Sequence, residues 1–199
     1  LFGFTLSFSF YLYSKNNEEN REKANFEQYI HVQNLRIQAL MGQSKMLLQT
    51  YYAFLNSKEN ISREEYALFS VVALKNHPEI FAVHWAPRIK NEDRQALEDE
   101  FSVLGLAPLG IFDVSPDAGT VERAPKRKEY FPITYAAPLE KNRKAIGLDP
   151  LARPYNTITI REAARHGRRD TTQPFPIVQD PSGPLSVAIY HPIYQPEMP

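Results

Sequence analysis

The chain contains no cysteine, which excludes disulfides, thiolate metal sites and cysteine nucleophiles. Its 23 Lys and Arg residues are balanced by 23 Asp and Glu residues, so no excess of positive charge recruits nucleic acid. Eight Gly against sixteen Pro indicate many strand ends and stiff turns. The 199 residues, 43% of them hydrophobic, suffice for one core or two small ones.

Motifs that carry reactive groups are also missing. None of the histidines share the i, i+4 spacing of a helical metal pair, and the sequence has no HExxH. It has no GxSxG, no phosphate-binding GxxxxGK[ST] and no GxGxxG either. We therefore expect no catalytic residues, no metal site and no cofactor.

The uncharged run over residues 1–13 is shorter than the about 20 residues that a membrane-spanning helix needs. Tyr11 and Tyr13 lie where an interfacial aromatic belt would be. Because the chain begins with Leu1 rather than Met, we interpret residues 1–13 as the C-terminal part of a transmembrane helix. A signal peptide and a buried core helix are the alternatives.

A long helix is predicted to follow, because residues 14–57 contain no Pro and a single Gly. Apolar residues, together with Gln33 and Ser44, recur there at the alternating three-four spacing of a helical seam. They are Phe26, Ile30, Ile37, Leu40, Leu47, Tyr51 and Phe54. About forty residues at roughly 1.5 Å each make a rod of roughly 60 Å. We predict a stalk helix over residues 14–60 whose seam forms a homodimer; packing of its distal half on its own domain is the alternative.

The remainder, residues 61–199, predicts an α+β domain. A capping box, Ser62 with Glu65, starts one helix, Asn91 caps a second, and a third runs from Pro154 to His166. Strands are predicted over residues 80–86, 110–114, 121–123, 129–136, 175–179 and 185–190. A helix followed by antiparallel strands, with helices on one face, is a PAS-like plan.

The strand from Glu129 to Ala136 is rich in aromatic residues and follows the basic run Arg123–Lys128. An aromatic wall with few polar groups, such as those of Tyr130 and Thr134, is typical of a small-molecule pocket. The basic run is either a solvated hairpin edge or a source of cations for an anionic ligand. Both readings remain open at this point.

Six segments occur in the order and spacing of a known family: HPEIFAVHWAPRIKNEDRQALE, EYFPITYAAP, GLDPLARP, AARHG, TTQP and AIYHPIY. From about Phe69 to Pro199 the chain resembles the CHASE domain, the extracytoplasmic sensor of membrane-bound signalling receptors. The resemblance implies two PAS-like subdomains on a stalk helix, between two transmembrane helices, with the C-terminal end missing here. It also implies a bacterial receptor in the inner membrane, with its sensor domain in the periplasm and a histidine kinase or diguanylate cyclase output.

The resemblance further implies candidate ligand-binding residues. Plant members bind cytokinins through an Asp in a D-E-Y-x-P-V strand, and Lys128 stands at that position here. An ammonium cannot accept the hydrogen bond that a carboxylate accepts, so Lys128 favours an anionic ligand instead. Tyr130 and Thr172 are expected to hydrogen-bond that ligand and Leu148 to line the pocket. The alternative is an interaction or dimerisation module that responds to a protein partner without a small ligand.

Overall fold

The computed structural model describes residues 2–58, 60–115, 120–177, 180 and 182–194. The chain divides into two units, Leu1–Leu47 and Leu48–Pro199. The first unit lies within a single helix, α1, Phe2–Leu55. In the part of the chain that the structure describes, no helix has an apolar stretch long enough to cross a bilayer.

The predicted long N-terminal helix is confirmed, since α1 runs from Phe2 to Leu55. In the first unit of the chain, apolar side chains of the predicted seam are exposed, among them Phe26, Ile30, Ile37 and Leu40. An apolar seam that is open to solvent fits the predicted homodimer. Dimerisation through this seam stays a prediction.

The second unit combines helices and short strands, which confirms the α+β class. Its helices are α2 Arg63–Leu74, α3 Arg94–Val103, α4 Leu139–Asn142 and α5 Pro154–His166. Two 3-10 turns span Arg143–Ala145 and Pro150–Ala152. The strands are β1 Val83–Trp85, β2 Ile89–Lys90, β3 Phe112–Val114, β4 Val121–Arg123, β5 Glu129–Tyr130, β6 Tyr135–Ala137, β7 Asp170–Thr171 and β8 Ile189–Tyr190.

The strands form four antiparallel two-stranded ladders, β1–β6, β2–β5, β3–β4 and β7–β8. The prediction of one continuous strand over residues 129–136 is wrong, because β5 and β6 pair with different partners. Pro132 lies between them and has no N–H to donate to a ladder. The neighbouring N–H groups of Ile133 and Thr134 donate to Leu148 and Trp85 instead.

Local sequence signals set several boundaries. The capping box of α2 is confirmed: the Ser62 hydroxyl accepts from the Glu65 N–H, and the Glu65 carboxylate accepts from the Ser62 N–H. The helix from Pro154 is also confirmed, and it ends at Gly167 with φ +60°. At α3 the prediction of Asn91 as the cap is wrong, because Asp93 precedes the helix and makes no side-chain cap bond.

The last predicted strands are only partly confirmed. Of the strand predicted over residues 185–190, only β8 is present, and it pairs with Asp170–Thr171. Phe175, in the other predicted strand, forms an isolated bridge with Ser186. Residues 178 and 179 of the other predicted strand lie outside the described residues. Residues 116–119, between the predicted strands at 110–114 and 121–123, lie outside them as well.

The main core of the second unit lies between α3, β3, β6 and the turns after α4. Its buried members include Phe101, Phe112, Ile133, Ile146 and Leu148. Burying apolar side chains of this size contributes about 1.5–3 kcal/mol each. Through Ile133 and Ala136, this core holds the chain that follows β5 in place.

An aromatic cluster joins the last turns of α1 to α2 and β6. Tyr51 packs against Tyr66 and, edge-on, against Phe69, while Phe54 stacks on Phe69 at 4.0 Å between ring centroids. Tyr66 also contacts Tyr135, with 5.3 Å between centroids. The residues after Leu47 are thus part of the α+β unit through ring contacts.

Candidate ligand site

The ladder between β2 and β5 borders an open groove. Lys90 is paired with Glu129 in that ladder, and the Asn91 N–H donates to the Lys128 carbonyl over 3.1 Å. The groove has a volume of about 600 Å³. It is lined by Arg88, Lys90, Asn91, Glu92, Lys126, Arg127, Lys128 and Glu129.

The groove is basic, since five of its lining side chains are cationic and two are carboxylates. Arg88 pairs with Glu129 over 2.7 Å, and Lys90 pairs with Glu92 over 3.4 Å. Lys126 and Lys128 are exposed and form no ion pair with any described residue. Both ammonium groups line the groove and are therefore available to an anion.

Arg127 stands between these lysines but faces the protein. Its guanidinium pairs with Asp113 and, over 3.2 Å, with Asp149. Planar guanidinium groups suit such double pairing better than ammonium groups do. Arg127 therefore fixes the backbone from which Lys126 and Lys128 project.

Asp149 is buried beneath this segment. Burial raises the pKa of its carboxyl above the ordinary value, and hydrogen bonds from the Leu151 and Phe131 N–H groups and the charge of Arg127 oppose that rise. The charge of Asp113 adds to it. Asp149 thus holds the chain on both sides of β5 in one arrangement, at a cost in desolvation.

Tyr130 is fully buried and is not among the residues that line the groove, although its hydroxyl bonds two residues that do. The hydroxyl oxygen accepts from the Arg127 N–H over 2.8 Å and from the Arg94 guanidinium over 3.0 Å. Its proton can go to the Asn91 side-chain oxygen at 3.2 Å or to the Pro125 carbonyl at 3.1 Å. Tyr130 therefore supports the groove from beneath.

Arg94 extends this support into α3. Its guanidinium lies over the Tyr130 ring at 4.9 Å from the centroid and pairs with Glu98 over 2.8 Å. Glu98 is buried and also accepts from the Ile111 N–H over 3.0 Å and from Arg123. Gly110, at φ +68°, leaves room for this carboxylate, since a Cβ there would lie 2.5 Å from it.

The structure does not bring the four predicted site residues into one cavity. Lys128 lines the groove and Tyr130 lies behind it. Leu148 belongs to the main core, beside Phe112. Thr172 is buried in the β7–β8 region, where its hydroxyl accepts from the Ala188 N–H over 3.0 Å.

Several groups that shape the groove were missed at the sequence level. Arg94 and Glu98 sit four residues apart on α3, which is the spacing of a helical ion pair and a usable signal. Asp149 lies in the loop between Gly147 and Pro150, and nothing in the neighbouring sequence reveals its contact with Arg127. Arg88 lies just after a predicted strand end, without a motif of its own.

Comparison with known proteins identifies the family of the chain. A family model for the CHASE domain matches residues 59–199. The germination-specific adenylate cyclase of Dictyostelium discoideum is 28% identical over 159 residues, 78% of this chain and 18% of that protein. The chain thus spans less than a fifth of that relative's length. Because the family model covers well over half of the chain, the chain belongs to the CHASE domain family of signalling-receptor sensor domains.

Proposed function

We propose that this chain senses an anionic small molecule, which binds in the basic groove beside β5. The observation that carries this proposal is the pair of exposed lysines, Lys126 and Lys128, which have no ion-pair partner among the described residues. They lie on either side of Arg127, which is anchored by the buried Asp149 and the half-buried Asp113. Because the backbone is already fixed, an anion that binds here has to order only the lysine side chains.

Four residues in or next to the groove have proposed roles. Lys128 neutralises the anionic group, as its position in the family strand suggests, and Lys126 and Arg88 add to the local positive potential. Tyr130 positions Arg127 and Asn91 from beneath through its hydroxyl. Direct ligand contacts by Leu148 and Thr172 stay predictions, and they require a second cavity near the core or the β7–β8 ladder.

The proposed receptor places this sensor outside the membrane. Residues 1–13 end a membrane-spanning helix, residues 14–60 form the stalk, and residues 61–199 form the sensor domain. Ligand binding shifts the populations of the domain's conformations, and the stalk passes that shift across the membrane. The proposed location is the inner membrane, with the sensor in the periplasm and two stalks paired in a homodimer.

The output module lies outside this chain. The histidine kinase or diguanylate cyclase inferred from the family resemblance remains our proposal. The similarity to an adenylate cyclase adds adenylate cyclase activity as a third candidate output. In each case this chain would regulate catalysis and take no part in the chemistry.

A thermal-shift screen tests the proposal. The panel contains carboxylates, phosphate esters and purines, each with an uncharged analogue of similar size. We expect at least one anion to raise the melting temperature and the effect to weaken with salt, because the groove is open and its charges are screened. If no compound raises it while crosslinking recovers a protein partner, the chain is an interaction module instead.

A further inference from the structure

Helix α2 has an outward face that no described residue covers. Leu68, Val71 and Val72 are 71%, 72% and 75% exposed, whereas Tyr66 and Ser70 on the opposite face are buried. The exposed face consists of Glu64, Ala67, Leu68, Val71, Val72 and Lys75. Three large apolar side chains on two adjacent turns form a patch of the kind that marks a contact surface.

This face has a twofold pattern along the helix. Residues at equal distances from the point between Phe69 and Ser70 form complementary pairs: Leu68 with Val71, Ala67 with Val72, and Glu64 with Lys75. Two copies of α2 packed antiparallel about that point would place every apolar side chain against an apolar one. Each Glu64 would then face the partner's Lys75, the isologous arrangement of a twofold dimer.

The terminal charges favour this orientation over the parallel one. Glu64 and Lys75 are exposed, and neither forms an ion pair with a described residue. Glu64 lies in the first turn and Lys75 caps the C-terminus, where each complements the dipole of its own helix. A parallel pair would place Glu64 near the partner's Glu64 and Lys75 near the partner's Lys75.

We propose that α2 is a self-association surface on which a second copy of this chain docks antiparallel. The contact is independent of the ligand groove and separate from the predicted seam of α1. Three large apolar side chains per copy make an interface below about 1,200 Å², the size of a weak, transient contact. Such a contact becomes populated when receptors are already crowded in a membrane.

Because the chain has no cysteine, single-cysteine variants test the register directly. Glu64→Cys and Lys75→Cys are made on separate full-length chains, mixed and oxidised mildly. The antiparallel register places these two positions opposite one another, whereas like positions lie about 16 Å apart along the axis. A disulfide needs Cα atoms within about 7 Å, so only the mixture is expected to crosslink.

A mixture of Lys75→Cys with Lys144→Cys, another exposed position, gives the level of random collision. The proposal is overturned if the Glu64–Lys75 mixture crosslinks no more than this control. It is equally overturned if each variant crosslinks with itself as well as the mixture does. Dimerisation through α1 alone would give the first of these results.

A charge exchange provides the second measurement. Glu64→Lys is expected to raise the dimer dissociation constant of the full chain severalfold in sedimentation experiments, and adding Lys75→Glu is expected to restore it. Both positions are exposed, so folding is not at risk. A double variant that dimerises no better than Glu64→Lys would contradict the antiparallel pairing.

Discussion

The Arg127 guanidinium lies 3.2 Å from the carboxylate of Asp149, a side chain that is 1% exposed. This pair connects the basic run before β5 to the loop that follows Gly147. The same guanidinium reaches Asp113 on β3. Three chain segments therefore depend on one cation, and its removal leaves two carboxylates without a counter-charge.

We expect Arg127→Ala to lower the free energy of unfolding by about 2–4 kcal/mol, because Asp149 stays buried without its cation. The loss falls towards the lower end because Arg127 itself is 30% exposed. Urea unfolding followed by circular dichroism measures it. Lys126→Ala is the matched control, with a change within about 0.5 kcal/mol. Equal midpoints for the two variants would show that Arg127 contributes nothing through its carboxylate partners.

The raised pKa of Asp149 predicts a specific pH dependence. The folded state binds the proton more tightly than the unfolded state, whose carboxyl has the ordinary value near 3.8. Stability contributed at this position is therefore largest in acid and falls as the pH rises through 3.8 towards the raised value. Wild type should lose stability relative to Asp149→Asn as the pH rises from 3 to 7. The opposite trend would mean that the Arg127 pair outweighs burial.

Lys128→Ala should weaken the binding of whichever anion the thermal-shift screen identifies, and calorimetry gives the affinity. We expect the dissociation constant to rise roughly two- to fivefold, since an exposed charge pair contributes up to about 1 kcal/mol. Stability should hardly change, because Lys128 is exposed. Lys144→Ala, which removes an exposed lysine that does not line the groove, is the control. An unchanged affinity for Lys128→Ala would remove this residue from the site.

Alanine substitutions at Gly110 and Gly167 allow the cost of backbone strain to be distinguished from the cost of steric overlap. Gly110 and Gly167 have φ of +68° and +60°, and alanine pays about 1–2 kcal/mol in this region. A Cβ on Gly167 meets nothing within 4 Å, whereas one on Gly110 lies 2.5 Å from the Glu98 carboxyl. Gly110→Ala should therefore cost about 1–3 kcal/mol more than Gly167→Ala in thermal unfolding. Equal losses would show that Glu98 moves freely.

The elements predicted correctly from the sequence are those that local chemistry determines. Ser62 and Glu65 define the start of α2 through reciprocal hydrogen bonds between their side chains and backbone N–H groups. Gly167 ends α5 because it adopts a left-handed conformation. Such signals need no knowledge of the rest of the fold. The absence of Pro over residues 14–57 likewise predicted a helix that the structure contains.

The predictions from sequence were wrong where contacts between residues distant in sequence determine the local structure. Asn91 was expected to cap α3, but its side-chain oxygen lies 3.2 Å from the Tyr130 hydroxyl instead. The strand at 129–136 was expected to be continuous, but Pro132 interrupts it and the N–H of Ile133 donates to Leu148. Lys128 could be placed on a basic edge from the sequence alone. The anchoring of its neighbour Arg127 by Asp113 and Asp149 could not, because that contact joins segments up to 36 residues apart.

The interruption at Pro132 also has a mechanical consequence. Residues 129–137 begin in the ladder beside the groove and end in the ladder beside the aromatic cluster. The connection between the ladders cannot bend easily, because Pro132, Ile133 and Thr134 are buried in tightly packed surroundings. If a bound anion displaced β5, residues 131–134 would transmit the displacement to Tyr135 instead of absorbing it by bending. The rings of Tyr66 and Tyr51 would then have to repack, so the groove and the last turns of α1 are connected by one short, stiff length of backbone.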